Sequence, residues 1–244
     1  MERDKKERRS RRTNIVLEKD IMEAAKSVIE EEGFAKTTLS AIIQKANIEP
    51  NVFYKRFENL EDLFEQFTRK YDYWISDIMD MQSEKDDYME YSYNLMAGVV
   101  ESLYDNKSMQ QILIWDISAD NPITRESAMA RETASQKLID KYNDIFKNSG
   151  FNFDVFSALV IGGIYYLVLR RHRGSFCGVD FSTVEGREKL LNTIKSLIIK
   201  IYNSLEEDMK VAKIVFNMKK EGLDNQTIAK YTGLTADEIS RIAK

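Results

Sequence analysis

The chain has 244 residues, of which 43% are hydrophobic and 31% charged, with a net charge of −4; this is a globular composition with length enough for a sizeable core. A single cysteine, Cys177, excludes an intrachain disulfide, and one histidine beside it argues against a Cys/His zinc site or a His-dependent catalytic triad. Proline occurs only at positions 50 and 122, and long helical periodicities point to an all-α chain with no cofactor, no metal and no enzymatic constellation.

The opening stretch, MERDKKERRSRRTN, lacks the apolar run of a signal peptide. It sets seven basic residues, Arg8, Arg9, Arg11 and Arg12 among them, against three acids. A basic arm on an acidic protein suggests a localised anionic partner such as nucleic acid, or else a solvated tail. The longest apolar run, residues 155–169, is shorter than the roughly 20 residues that cross a bilayer. A soluble cytoplasmic protein with no membrane contact is expected.

LEKDIMEAAKSVIEEEGF carries apolar residues at Leu17, Ile21, Ala24, Ala25, Val28 and Ile29, a helical stripe closed by Gly33. Thr37 or Thr38 can cap a second helix bearing Leu39, Ile42, Ile43 and Ala46. Asn47 tolerates the left-handed region, and Pro50 suits the first turn of a third helix. The link is only three or four residues, as in a helix-turn-helix. The third helix buries Phe53 and Phe57 and turns Glu49, Asn51, Tyr54, Lys55 and Arg56 outwards. Asn59, with Asp62 three residues on, caps a long fourth helix.

The segment GFAKTTLSAIIQKANIEPNVFYKRFENLEDLF resembles the DNA-binding domain of TetR-type (tetracycline-repressor-type) transcription regulators. Gly33-Phe34, Thr37-Thr38, Ile42, Ile48, Phe53-Tyr54, Phe57 and Glu61-x-Leu63-Phe64 match that pattern in order and spacing across residues 17–67. The resemblance implies phosphate contacts from Thr38, with Ser40 beside it, and from Tyr54 and Lys55. Glu49, Pro50, Asn51 and Val52 would present the base-reading surface, Asn51 being suited to adenine and Val52 to a thymine methyl. Asn47 replaces a usual glycine, and Leu60 stands where a phosphate-contacting lysine is common; Arg56 and the arm, which can reach the minor groove or simply follow the backbone, would supply charge.

Beyond residue 72 the pattern is helix after helix. Asn121-Pro122 starts one that should end near Gly150. The helix from Phe153 to Leu169 is apolar on nearly every face and needs cover all round, and Gly162-Gly163 would let another backbone approach. Ser182-x-x-Glu185 reads as a capping box opening a helix with two apolar rows, one of Leu190, Ile194, Leu197 and Ile201, the other of Leu191, Ile198, Tyr202 and Leu205. Two rows suggest two partners, and the resemblance implies a homodimer joined by the last two large helices. Ile161, Leu191, Ile194, Ile198, Ile201 and Tyr202 are the expected interface, and a palindromic double-stranded operator follows from two-fold symmetry. The family's central domain commonly holds a small-molecule effector, for which Trp74, Tyr91, Leu95, Trp115, Tyr142 and Tyr165 are candidates beside their reading as core. His172, flanked by Arg170, Arg171 and Arg173, reads as a solvated helix end.

The tail holds Ala229, Gly233 and Ile239 at the spacing of a second small helix-turn-helix, with Thr235-x-x-Glu238 as a capping box. Asp237 and Glu238 would repel phosphate, which favours a structural or protein-contact role. The expected organisation is a basic arm (1–14), a helix-turn-helix domain (15–66), a helical ligand-binding and dimerisation domain (67–208) and a helical appendage (209–244). The functional expectation is a ligand-responsive repressor, or else a module of the same fold acting through protein partners at the appendage.

Overall fold

A computed structural model describes residues 14–72, 78, 87–147, 149 and 151–242. Its elements are α1 (Asn14–Glu32), α2 (Leu39–Ala46), α3 (Pro50–Phe53), α4 (Leu60–Tyr71), α5 (Tyr88–Asp105), α6 (Lys107–Ser118), α7 (Pro122–Phe146), α8 (Phe153–Leu169), α9 (Val184–Lys220), α10 (Asn225–Thr232) and α11 (Ala236–Ile242). No strand occurs among the described residues; one isolated bridge joins Phe176 to Val179. No helix is long and apolar enough to cross a membrane among those residues.

Two compact units divide the chain. The first takes α1–α4, α6 and α7 as far as Arg131; the second takes α5 up to Tyr104 and everything from Glu132 onwards.

In the first unit the apolar stripe of α1, with Ile21, Ala25 and Ile29 fully buried, packs against α2 and α4, and Ile42 of α2, Phe53 of α3 and Leu63 and Phe67 of α4 are fully buried as well. Each such side chain contributes roughly 1.5–3 kcal/mol by leaving water. Phe34 stands edge-on to Phe64 and Phe67 and stacks on Trp115 of α6, with ring centroids 4.2 Å apart. Gly33 ends α1 at φ 80°, and a Cβ there would lie 3.1 Å from Gln111 Oε1. Asp72, the C-cap of α4, is bound by Arg131 at 2.7 Å and by Ser127, while the same guanidinium reaches Asp116 at 2.6 Å. Burial pushes the Asp72 carboxyl up, against the pull of Arg131 and Ser127.

In the second unit Tyr142 stacks on Phe153 at 4.5 Å, and the Ser92 hydroxyl donates to its oxygen at 2.9 Å. Tyr202 Oη lies 3.0 Å from the same serine oxygen, so three hydroxyls share one buried cluster. Helix α7 ends at Phe146, short of the expected Gly150. Thr183 rather than Ser182 caps α9, accepting from Gly186 N at 3.0 Å. The expected close approach at Gly162 and Gly163 is not made within the chain: among the described residues nothing lies within 4 Å of either added Cβ. Cover all round α8 fails as well, for Val155, Leu159 and Tyr166 are 55%, 72% and 53% exposed.

Helix α9 runs 37 residues without a break, through the position where a separate appendage was expected to begin. Its last turns carry α10 and α11 on a small core of Val215, Ile228 and Ile239. Asp224 caps α10, Gly233 turns the chain at φ 73°, and the Thr235–Glu238 box forms as expected, with Glu238 Oε2 accepting from Thr235 N at 2.6 Å.

Candidate nucleic-acid interface

The local geometry of α2 and α3 follows from four residues. Thr38 stands in extended backbone (φ −119°, ψ 151°), and its hydroxyl oxygen accepts from Ala41 N at 3.2 Å, fixing where α2 begins. Asn47 ends α2 in the left-handed region at φ 50°, ψ 56°, its N–H bonded to the carbonyls of Ile43 and Gln44. Three residues later Pro50 occupies the first turn of α3. The link is therefore residues 47–49, the short turn that the spacing predicts. Asn59 opens α4 by accepting from Asp62 N at 2.9 Å, while Asp62 Oδ2 accepts from Glu58 N at 2.9 Å.

Helix α3 is only four residues long, and residues 54–56 continue it as a turn closed by the Phe57 N to Phe53 O bond at 3.1 Å. Phe53 and Phe57 are buried, with ring centroids 5.3 Å apart, and they anchor the segment to the core. Tyr54 projects outwards, 57% exposed, its ring edge against Phe53 at 5.6 Å. Thr38, Ser40, Glu49, Pro50, Asn51 and Lys55 are exposed as well, and Val52 is half-buried. Arg56 is a correction: it does not face outwards but is half-buried, donating from Nη1 to the Val52 carbonyl at 2.7 Å. A four-residue helix leaves its last carbonyls without i+4 partners, and the guanidinium fills that role.

The free charge on this surface is modest. Lys45 is tied to Glu31 at 3.3 Å, and hydrogen bonds from Ser27 and Lys45 hold the Glu31 carboxyl below its ordinary value. Lys55 and Lys36 are exposed and form no ion pair among the described residues. Lys36, two residues before the Thr38 cap, escaped the sequence reading; its signal is a cation immediately ahead of a helix N-terminus. Arg8, Arg9, Arg11 and Arg12 lie outside the described residues, as does Trp74.

The other residues of the effector set fall in both units. Trp115 belongs to the first unit, stacked on Phe34, whereas Tyr91, Leu95 and Tyr142 are buried in the second and Tyr165 is half-buried there. None of them lines the pocket of about 180 Å³ beside Asp72 or that of about 340 Å³ beside Phe146. Of the expected dimer residues, Ile194 and Ile198 are each only 4% exposed and face inwards within one chain, and the Tyr202 hydroxyl is engaged with Ser92. The buried row of α9 is Leu190, Ile194, Ile198 and Leu205, which takes members from both predicted rows. Ile161, Leu191 and Ile201 are half-buried.

Comparison with known proteins agrees with this geometry. Residues 21–67 match the family model of bacterial regulatory proteins, tetR family. The structure is similar to a TetR family transcription regulator from Marinobacter aquaeolei VT8 (TM-score 0.56, 20% identity, 74% of this chain and 94% of that one). It is similar also to a TetR-like transcriptional regulator from Rhodococcus sp. RHA1 (0.58, 14%, 79% and 99%). A third likeness is to the fatty acid degradation regulator FadR from Bacillus halodurans (0.56, 18%, 78% and 96%). No curated protein matches the chain. The N-terminal module is thus similar to that of the tetR family, and the chain has the fold of these solved regulators.

Proposed function

We propose that this regulator is a ligand-responsive repressor that binds a palindromic operator as a homodimer. One observation carries the reading: a short α2–turn–α3 surface that exposes Asn51, Tyr54 and Lys55 while Phe53 and Phe57 lock its inner side to the core. Asn and Lys are suited to base edges, and Tyr and Lys to phosphates. Dimerisation is supported by the exposed apolar stripe of α8 at Val155, Leu159 and Tyr166. An effector would act by binding more tightly to a dimer whose recognition surfaces are spaced away from one DNA turn, since only differential affinity shifts such an equilibrium.

The test is selection of bound duplexes from a random pool with the full-length protein, followed by titration of the recovered site in rising salt. A palindrome whose affinity falls steeply with salt, and falls at least tenfold on Tyr54→Ala with the helical content unchanged, is expected. Recovery of no sequence above background sinks the repressor reading. It would favour the second reading, a protein-docking role for the appendage, which exposes Phe216 and Tyr231 around a core of its own.

A further inference from the structure

A groove of about 340 Å³ lies between the end of α7 and one face of α9 in the second unit. Its α9 wall is built on helical spacing. Leu197, Ile201 and Leu205 form an apolar row, and Lys200, Ser204 and Asp208 form a polar row directly beside it. The opposite wall is aromatic, with Phe146 and Phe151 5.4 Å apart between ring centroids. The volume is at the lower end of the range for small-molecule sites, roughly 300–1,000 Å³.

The charges decide what fits. Lys200 and Asp208 form no ion pair and no hydrogen bond among the described residues, although the same helix pairs Lys189 with Glu185 and Lys210 with Glu206. An unpaired ammonium above an apolar trough complements a carboxylate on a hydrocarbon body. Asp208 lies eight residues further along, roughly 12 Å at helical rise, so a second carboxylate at the far end of the ligand would meet a negative charge.

We infer that this groove binds an amphipathic monocarboxylate, its carboxylate at Lys200 and its apolar body against Leu197, Ile201 and Phe151. The binding stands on the groove alone; only its effect on DNA rests on the ligand-responsive reading. None of the residues proposed to touch DNA lines it.

The full-length protein is titrated calorimetrically with decanoate, below its micelle concentration, and in parallel with decanedioate. Saturable binding of one decanoate per subunit is expected, at least tenfold weaker for decanedioate and for Lys200→Met. Lys200 is exposed, so that variant should keep the parent's thermal unfolding curve. Absence of saturable decanoate binding overturns the inference, and so does equal affinity in Lys200→Met. Binding that emerges only on dilution below the dimer's dissociation constant also overturns it, because a second copy then fills the groove. Decanoate binding that leaves operator affinity unchanged upholds the site and removes the regulatory reading instead.

Discussion

Replacing Arg131 by methionine tests how the first unit is held together. The guanidinium, only 10% exposed, bridges Asp72 (8% exposed) and Asp116 (26% exposed). Methionine keeps much of the stem packing but strands a buried carboxylate, which costs about 3–5 kcal/mol in comparable sites. Asp116 retains part of its hydration, so the lower end, about 3 kcal/mol, is expected. For a chain of this size that is a fall in Tm of roughly 6–12 °C. The pH dependence has a definite sign. Burial already holds the Asp72 carboxyl above its ordinary value, with Arg131 pulling it down; removing the arginine raises it further. A carboxyl whose folded pKa exceeds its unfolded one, near 4, favours the folded state at low pH and loses that contribution as pH rises through the folded value. The deficit of Arg131→Met should therefore grow from pH 5 to pH 8. Urea unfolding followed by circular dichroism at both pH values, at fixed protein concentration, measures it. Adding Asp72→Asn should restore more than half the loss, since the stranded charge is gone. A deficit below about 1 kcal/mol, the same at both pH values, would refute the argument that this bridge compensates buried charge.

Asn47→Ala should cost about 1–2 kcal/mol because φ is 50° there, while Asn47→Gly should be neutral or better; chemical denaturation separates the two. Tyr142→Phe removes one member of the Ser92–Tyr142–Tyr202 cluster and should cost about 1 kcal/mol, read as a lower urea midpoint at unchanged slope. Gly186→Ala would place a methyl 2.0 Å from the Asp180 carbonyl oxygen, so the Thr183 cap of α9 must break or shift; a loss above about 2 kcal/mol is expected in thermal melts.

The DNA-reading module was legible because its signals are local. A cap at Thr38, a left-handed Asn47, Pro50 at a first turn and two phenylalanines four apart each act within one helical turn, and each is realised. Arg56 was misread for an equally local reason: counting it on a continuing helix face assumed a longer α3, and the early end at Phe53 turns its guanidinium back onto Val52. The surroundings of the effector candidates are set on a different scale. Tyr91, Tyr142 and Trp115 look alike as aromatic residues on helices, but only tertiary packing decides that Trp115 stacks on Phe34 and that Tyr142 stacks on Phe153. The groove beside Phe146 was invisible because it joins the end of one helix to a row on another, and the sequence names two apolar rows there without saying which is inside.

The choice between those rows bears on what α8 and α9 are for. The α9 sequence has apolar residues on more than one face, and periodicity alone cannot say which row is inside; burial selects Ile194 and Ile198 and leaves Leu197 42% exposed. On α8 the sequence demanded cover on every side, and one chain buries Ile164 and Val168 but leaves Val155, Leu159 and Tyr166 more than half exposed, Tyr166 with a single ring neighbour, Phe176, among the described residues. Those three stand at i, i+4 and i+11, a continuous stripe past Gly162 and Gly163, where no atom of the described chain fills the space of a side chain. Single exposed apolar residues need no explanation, but an aligned stripe on a helix this hydrophobic does. The cover that the sequence calls for and the single chain withholds is the physical argument behind the proposed homodimer, and Leu159→Lys, which sets a charge in that stripe, should leave the fold intact and shift the protein to monomer in sedimentation if the argument holds.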